Sequence, residues 1–343
     1  MEVPFVDIGN QYKQVKGDIQ QAIESVFEEY MFIGGHFVSD FEEKFAESTG
    51  VKHVVGCANG TDAIEIALET LGITEGDEVL VPAYSFVSTA TAVKRVGAEP
   101  VFVDVHEDYY TINHELIKNA ITKNTRAIIA VHFYGLPAPM HELMDIAREH
   151  NLFVVEDCAQ GHGAQIDKQQ VGSFGDMATY SFYPSKNFGA YGDAGAILTN
   201  DDELAEKARI ISNMGQLEKH KHLQVGRNSR LDTLQAAILQ AKLPKVEEWT
   251  ARRRWVARQY NIKLPEFGYK LQRIPDNYKH VYHLYVIQTE NRDRLKEFLE
   301  DNGVQTQIHY PKPLNQFNFF KNKGKMTVAN EMSEKILSLP MYP

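Results

Sequence analysis

The sequence predicts an α/β protein whose larger part is built around a mostly parallel β-sheet. Short apolar runs alternate with segments of helical periodicity from residue 53 to residue 155. This alternation is typical of right-handed βαβ units, in which each helix packs on a face of the sheet. The chain has 343 residues. Because single cores rarely grow past roughly 250–300 residues, we expect a second, smaller domain.

The predicted elements follow one another in a regular order. Residues 14–29 have an amphipathic helical pattern that stops before Gly34 and Gly35. Seven strands are predicted at residues 53–57, 78–81, 100–103, 127–131, 152–155, 177–183 and 194–199. Helices are predicted at residues 61–71, 88–96, 115–120, 140–150 and 202–214.

The remaining residues predict a smaller C-terminal α+β domain. A helical stretch at residues 231–261 is interrupted by Pro244, and a strand at 282–288 and a helix at 292–302 follow it. We therefore assign residues 1–244 to the large domain and residues 245–343 to the small one. We also expect the N-terminal segment to pack on the small domain.

Composition excludes several classes of protein. The apolar content of 43% and charged content of 24% are ordinary for a globular protein. No apolar run approaches the ~20 residues of a transmembrane helix. The N-terminus lacks the pattern of a signal peptide, and the two cysteines favour a reducing cytoplasm. The net charge of −10 argues against a nucleic-acid-binding protein.

Two polar residues at predicted strand ends indicate a site for pyridoxal phosphate, PLP. Asp157 ends one apolar run, and Lys186 follows another, just before a glycine-rich stretch at residues 189–195. Parallel sheets deliver such side chains to one crevice at the carboxyl ends of the strands. Lys186 would hold the cofactor covalently and move protons, and Asp157 would pair with the protonated pyridine nitrogen. Gln160 would reach the ring hydroxyl.

Other residues at strand ends complete this prediction. Gly60 and Thr61 open a helix after a strand, where free backbone N–H groups suit a phosphate, and Ser181 offers a hydroxyl to the same phosphate. Phe86 is placed to stack on a planar ring. Each feature alone also fits an ordinary helix cap, a core aromatic or a solvated side chain. Their joint order along the chain favours the cofactor.

No metal site is predicted. His220 and His222 lie in a polar loop without a cluster of cysteines or carboxylates at ligand spacing. Cys57 and Cys158 lie beside strand ends and are expected to pack as small apolar side chains. A nicotinamide site is disfavoured as well, because residues 161–163 lack the third glycine of the dinucleotide motif.

Five motifs resemble one enzyme family across nearly the whole chain, from Phe5 to Met341. They are Asn-Gly-Thr-Asp-Ala at 59–63, Glu-Asp-Cys-Ala-Gln-Gly-His-Gly-Ala at 156–164, Ser-Phe-Tyr-Pro-Ser-Lys-Asn at 181–187, Gly-Asp-Ala-Gly-Ala at 192–196 and Gly-Arg-Asn-Ser-Arg-Leu-Asp at 226–232. With them the sequence resembles the DegT/DnrJ/EryC1/StrS family of PLP-dependent nucleotide-sugar aminotransferases. The resemblance implies a fold-type-I enzyme that is a homodimer with active sites at the subunit interface.

The resemblance also implies the role of each site residue. The family pattern assigns the covalent bond to Lys186, the cofactor contacts to Gly60, Thr61, Phe86, Asp157, Gln160 and Ser181, a reach across to the neighbouring subunit's cofactor phosphate to Asn228, and substrate contacts to His309, Tyr310, Tyr183 and Arg230. Lys219, Lys221 and Arg227 are further candidates for a diphosphate. Family chains usually continue with a terminal helix, so we expect this sequence to be truncated or to carry a short tail.

The implied reaction moves an amino group from an amino acid, commonly L-glutamate, to a keto carbon of a dTDP- or UDP-linked sugar. C3 is favoured over C4, and the product would be a deoxyamino sugar for a surface polysaccharide such as the lipopolysaccharide O-antigen. Two alternatives stay open: a PLP-binding regulatory or sensor protein without turnover, and a PLP-dependent sugar dehydratase. Relatives that deoxygenate sugars replace the lysine with histidine, whereas this chain keeps Lys186.

Overall fold

The computed structural model describes residues 2–320 and 324–343, which begin with two helices. Helix α1 (Ile8–Glu29) starts at Asp7, whose carboxylate accepts a 2.8 Å hydrogen bond from the backbone N–H of Asn10. Helix α2 (His36–Thr49) was not predicted, because the two glycines before it were interpreted only as the stop of α1. Phe41 and Phe45, four residues apart on α2, are buried against the large domain.

Strands and helices then alternate as the sequence predicts. The first part comprises β1 (His53–Cys57), α3 (Gly60–Thr70), β2 (Glu78–Pro82), α4 (Val87–Arg95), β3 (Glu99–Val103), α5 (His114–Ala120), β4 (Thr125–Val131), α6 (Met140–His150) and β5 (Phe153–Asp157). The second part comprises β6 (Gln165–Ile166), β7 (Gln169–Gln170), β8 (Met177–Ser181), β9 (Gly195–Thr199), α7 (Asp202–Ser212), β10 (Gln216–Glu218), β11 (Lys221–His222) and α8 (Thr233–Lys242). The predicted polar loop around His220 is therefore a short hairpin.

Seven of these strands form the large sheet, in the order β1-β9-β8-β5-β4-β2-β3. All pairs within β8, β5, β4, β2 and β3 are parallel, and β9 runs antiparallel to both of its neighbours. The predicted mostly parallel sheet of seven strands is confirmed. The strands β2, β4, β5 and β8 consequently end at one edge, where a crevice for a ligand is expected.

The C-terminal region adds a second, smaller sheet. The elements of this region are α9 (Val246–Lys263), β12 (Lys270–Leu271), β13 (Tyr278–Lys279), β14 (Tyr285–Gln288), α10 (Arg292–Asp301), α11 (Thr327–Lys335) and β15 (Ile336–Leu339). Strand β13 pairs with β6 in a separate sheet. The small sheet has the order β12-β14-β15 with antiparallel pairs. Pro244 lies in a 3₁₀ turn between α8 and α9, so the predicted long helix is two helices.

Several contacts join the two ends of the chain. Val3 pairs with Val304 in a parallel bridge, where the N–H of Val3 donates to the carbonyl of Gly303 over 2.8 Å.

The small sheet has its own buried core, in which Ala257 of α9 packs with Tyr282 and Tyr285. The predicted boundary at residues 244 and 245 falls in the turn between α8 and α9 and stays a prediction.

Asp104 connects the large sheet to α11. It follows β3, is buried, and its carboxylate accepts 2.9 Å hydrogen bonds from the backbone N–H groups of Val105, Val328 and Ala329. The last two belong to the first turn of α11, whose N–H groups have no intrahelical acceptor. Within residues 2–320 and 324–343, no helix is both long and apolar enough to cross a membrane.

Asp104→Ala is expected to lower the free energy of unfolding by about 1–3 kcal/mol, since it leaves buried N–H groups without acceptors. Urea unfolding followed by circular dichroism measures the difference. Asp18→Ala on the exposed side of α1 is the control and should stay within about 0.5 kcal/mol of the original protein. Equal stability of the two variants would show that the Asp104 contacts contribute nothing.

Candidate active site

A cavity of about 630 Å³ opens at the carboxyl edge of the large sheet, within the ~300–1,000 Å³ typical of small-molecule sites. Its wall includes Asn59, Gly60, Thr61, Ser85, Phe86, Ser88, Asp157, Gln160, Ser181, Tyr183, Lys186, Asp193, His283, His309 and Tyr310. Every residue that the family pattern assigns to the site lines it, except Asn228 and Arg230, and the diphosphate candidates Lys219, Lys221 and Arg227 do not line it. The fold thus brings together residues that lie up to 251 positions apart in the sequence, from Asn59 to Tyr310.

Asp157 lies at the end of β5 and is 5% exposed. Its Oδ2 accepts a 3.0 Å hydrogen bond from Thr89 Oγ1, and its Oδ1 accepts one of 3.1 Å from the N–H of Ala159. Burial raises the pKa of Asp157, while the N–H of Ala159 and the charge of Lys186 oppose the shift. No arginine, lysine or histidine of the described chain forms an ion pair with it at contact distance.

Lys186 is held by the turn that follows β8. Its backbone N–H donates to the carbonyl of Tyr183 over 2.8 Å. Its Nζ makes no hydrogen bond or ion pair with any described residue. Burial lowers the pKa of Lys186 to about 8, and Asp157 partly opposes this shift. The amine is therefore substantially neutral near pH 8, the form that reacts with a carbonyl group.

The start of α3 forms a tight corner of the cavity. Asn59 caps the helix by accepting a 2.8 Å hydrogen bond from the N–H of Asp62, so the first N–H groups of the helix stay available to a ligand. A Cβ on Gly60 would lie 2.6 Å from Cβ of Ser181, so a larger residue would close the corner. This corner suits a phosphate, as predicted.

The side chain of Gln160 contacts both the main chain of Tyr134 and the hydroxyl of Tyr310. Its Oε1 accepts a 2.6 Å hydrogen bond from the N–H of Tyr134. The amide nitrogen is therefore the atom that faces the cavity, and it lies 3.5 Å from the hydroxyl of Tyr310. A donor at this position suits the ring hydroxyl that the sequence assigns to it.

Aromatic and imidazole rings cover the cavity. Phe86 is 51% exposed, and its ring centroid lies 5.8 Å from that of Tyr310. His309 Nδ1 lies 2.9 Å from Ser338 Oγ, and its ring stacks on Phe5. Burial, reinforced by the charge of Lys186, lowers the pKa of His309 to about 4, so the imidazole is neutral at pH 7.

Sequence reasoning missed several residues of the site. Thr89 and Ser88 lie in the first turn of α4; Thr89 bonds Asp157, and Ser88 Oγ accepts a 2.8 Å hydrogen bond from Thr61. They follow Phe86 at the same sheet edge, so the strand-end rule would have included them. His283 and Asp193 also line the cavity. Asp193 belongs to the motif at 192–196, but no role was assigned to it, and no sequence signal distinguished His283.

Asn228 and Arg230 lie outside the cavity of this chain. Asn228 is exposed and forms an isolated bridge with Asn213. Arg230 is half-buried, and its Nε has no hydrogen-bond partner among the described residues. Arg227, a candidate for a diphosphate, instead pairs with Glu65 and Glu69 on α3. These pairs fix the segment that presents Asn228.

One buried group has the residue types of a metal site. His132, Glu156 and Cys158 bring potential ligand atoms within 4.8 Å of one another. The Glu156 carboxylate, however, already accepts 2.8 Å hydrogen bonds from the N–H groups of Gly172, Phe174 and Gly175, and a 3.0 Å bond from His132. Cys57 and Cys158 are fully buried, which confirms that they pack as small apolar residues.

The donor and acceptor set of the cavity fits PLP. A buried carboxylate without a cationic contact partner suits a protonated ring nitrogen, and an unbonded amine of lowered pKa suits an aldehyde. The narrow corner at Gly60 and Ser181 accepts the phosphate. Lys186, Asp157, Gln160, Gly60 and Ser181 would therefore hold the cofactor.

Comparison with known proteins agrees with this geometry. The model of the DegT/DnrJ/EryC1/StrS aminotransferase family matches residues 13–343. The chain is 43% identical to a pleiotropic regulatory protein of Geobacillus stearothermophilus, over 100% of this chain and 94% of that one. It is also 43% identical to the UDP-N-acetyl-3-dehydro-alpha-D-glucosamine 3-aminotransferase of Acidithiobacillus ferrooxidans, over 99% of this chain and 93% of that enzyme.

A solved structure shows the same fold. The crystal structure of DesV from S. venezuelae in complex with a ketimine intermediate superposes with a TM-score of 0.97 at 38% identity, over 100% of this chain and 94% of DesV. Fold type I is therefore confirmed for this chain, as are PLP as the cofactor and an aminotransferase as the enzyme class. The chain belongs to the DegT/DnrJ/EryC1/StrS aminotransferase family.

Proposed function

We propose that this enzyme moves the amino group of L-glutamate to the keto carbon C3 of a nucleotide-linked sugar. The observation that carries the proposal is one cavity in which the free amine of Lys186 and the buried carboxylate of Asp157 meet beneath His309 and Tyr310. The relative from A. ferrooxidans, whose name specifies a UDP-linked 3-keto sugar, supports C3 and a UDP-linked acceptor. A dTDP-linked acceptor and amination at C4 are the variants to test beside it.

The chain's own residues divide the chemistry between them. PLP supplies an aldehyde that receives the amino group and a ring that takes up an electron pair. Asp157 accepts the hydrogen bond of the ring nitrogen and keeps its proton in place. Lys186 Nζ removes the proton from the α-carbon of glutamate, and in the second half reaction it delivers a proton to the sugar carbon.

The rings around the opening orient the acceptor. Tyr183 is 55% exposed and lines the cavity together with His309 and Tyr310. Because His309 is neutral, it contributes a hydrogen bond rather than a positive charge. We assign these three residues to the sugar nucleotide, with Arg230 as a further contact.

The regulatory alternative has support from the names of two relatives, the pleiotropic regulatory protein of G. stearothermophilus and the erythromycin biosynthesis sensory transduction protein of Saccharopolyspora erythraea. A non-catalytic binder does not require an unbonded lysine amine of lowered pKa beside a buried carboxylate, both of which this chain has. The dehydratase alternative is opposed by Lys186 itself. Turnover measurements separate the three functions.

We further propose a homodimer in the cytoplasm that supplies a deoxyamino sugar for a surface polysaccharide such as the O-antigen. Asn228 is exposed and does not line the cavity of its own chain, while Arg227 anchors its segment to α3. Both features suit a residue that reaches the cofactor phosphate of the neighbouring subunit.

The first test follows each half reaction by absorbance. L-Glutamate should abolish the visible band of lysine-bound PLP and release 2-oxoglutarate, and a UDP-linked 3-keto sugar should restore the band and yield the 3-amino sugar. Lys186→Ala should lose the band and at least about 10³-fold in turnover, because no amine remains to move the proton. Lys123→Ala, an exposed lysine, is the control.

Bound PLP that responds neither to glutamate nor to other amino acids would contradict the aminotransferase. A response to glutamate with no product from C3 or C4 keto sugars would contradict the sugar acceptor. Parallel assays with dTDP- and UDP-linked acceptors identify the nucleotide.

The second test concerns Asn228. Lys186→Ala and Asn228→Asp are each expected to be nearly inactive as homodimers, since the new carboxylate repels the phosphate. In a mixed dimer, one site regains both an intact Lys186 and an intact Asn228, so activity should return to a large fraction of one wild-type site. Size-exclusion chromatography with light scattering measures the mass of the protein in solution, which should be that of a dimer.

If Asn228 instead serves its own subunit's cofactor, mixing restores nothing, because each site keeps one defect. Mixing Lys186→Ala with Lys123→Ala is the matched control, and it should show the activity of the single intact site.

A further inference from the structure

Two tyrosines that do not line the cavity form hydrogen bonds with residues 309 and 310, which do line it. Tyr84, in the turn after β2, and Tyr134, in the 3₁₀ helix Phe133–Gly135 after β4, are both fully buried. Neither lines the cavity. Both hydroxyls are directed at the main chain of His309 and Tyr310, which belong to the C-terminal region.

The Tyr84 hydroxyl uses both of its hydrogen-bonding capacities on one residue. It accepts a 2.7 Å hydrogen bond from the N–H of Tyr310 and donates one of 2.5 Å to the carbonyl of Tyr310. A hydroxyl that both accepts from and donates to the main chain of one residue restrains the position and the orientation of that main chain, because each hydrogen bond has a preferred direction. The main chain of Tyr310 is therefore restrained relative to the end of β2.

Tyr134 makes the second connection. Its hydroxyl donates to the carbonyl of His309, and its own N–H donates over 2.6 Å to Oε1 of Gln160. Gln160 in turn faces the Tyr310 hydroxyl at 3.5 Å. Gln160, which is assigned to the cofactor ring, and His309, which is assigned to the sugar, are thus both hydrogen-bonded to Tyr134.

Both hydroxyls keep their protons at every physiological pH. Burial raises the pKa of Tyr84 and that of Tyr134 above the ordinary value for tyrosine. Their rings also pack on Phe133, with centroid distances of 5.7 Å and 3.9 Å. Phenylalanine at either position keeps this ring packing and removes only the hydroxyl.

We propose that Tyr84 and Tyr134 are positioning residues that set the affinity of the enzyme for its sugar-nucleotide acceptor. They restrain the main chain of His309 and Tyr310 in the cavity wall, so that the acceptor binds to a preformed surface. The donor half reaction depends less on this wall, because glutamate is smaller and reacts next to Lys186. The inference rests on the function proposed above.

The test compares the two half reactions in Tyr84→Phe and Tyr134→Phe. Loss of one buried hydrogen bond to the segment is expected to raise the KM for the keto sugar about tenfold, with kcat and the donor half reaction changed less than about threefold. Calorimetric binding of the UDP-linked amino sugar gives a second readout, and its Kd should rise by about the same factor.

Tyr260→Phe is the matched control. Its hydroxyl also donates to a main-chain carbonyl, that of Pro340, over 3.1 Å, but it lies outside the cavity wall. It should leave the KM and the Kd unchanged. Unchanged acceptor binding in both test variants, or an equal loss in the two half reactions, would overturn the inference.

The binding measurement separates this inference from the proposed function. If the original protein binds the sugar nucleotide without turning it over, the proposed reaction fails, while the Kd values of the variants still decide the role of the tyrosines. If the original protein does not bind a sugar nucleotide at all, both are overturned.

Discussion

The buried carboxylate of Asp157 is the constraint on which the site depends. A charge at the end of an apolar strand is costly unless it is hydrogen-bonded or paired. The protein supplies one hydroxyl, from Thr89, and one backbone N–H, from Ala159, which leaves its pKa raised. A protonated pyridine nitrogen would complete the pairing. The cofactor would then bind where the fold has left a charge incompletely compensated.

Glu156, the residue before Asp157 on β5, is hydrogen-bonded on the opposite face of the sheet. Successive side chains of a strand point to opposite faces, so Glu156 lies on the other side of the sheet. The N–H of Ala138 donates to His132 Nδ1 over 3.0 Å, so His132 Nε2 is protonated and donates to Glu156. With three further backbone donors, this carboxylate is fully satisfied. β5 therefore has one carboxylate, that of Glu156, whose hydrogen bonds are made within the protein, and one, that of Asp157, which is left for the cofactor.

Part of the fold and site could be predicted because strand ends follow from apolar runs. Asp157, Ser181 and Lys186 were predicted from that rule, and the structure brings them to one cavity. Helix α11 and β15 were missed because they are short, with nine and four residues, so each shows less than the pattern that identifies a longer element. The connection of Tyr84 to Tyr310 spans 226 residues. No local pattern specifies such a contact, since it arises only when the C-terminal region packs on the large sheet.

The most direct measurement is a crystal structure of the protein loaded with PLP. The account predicts continuous density between Lys186 Nζ and the cofactor, an oxygen of Asp157 within hydrogen-bonding distance of the ring nitrogen, and the phosphate at the corner of Gly60 and Ser181. PLP attached to another lysine, or a ring whose nitrogen faces away from Asp157, would contradict it.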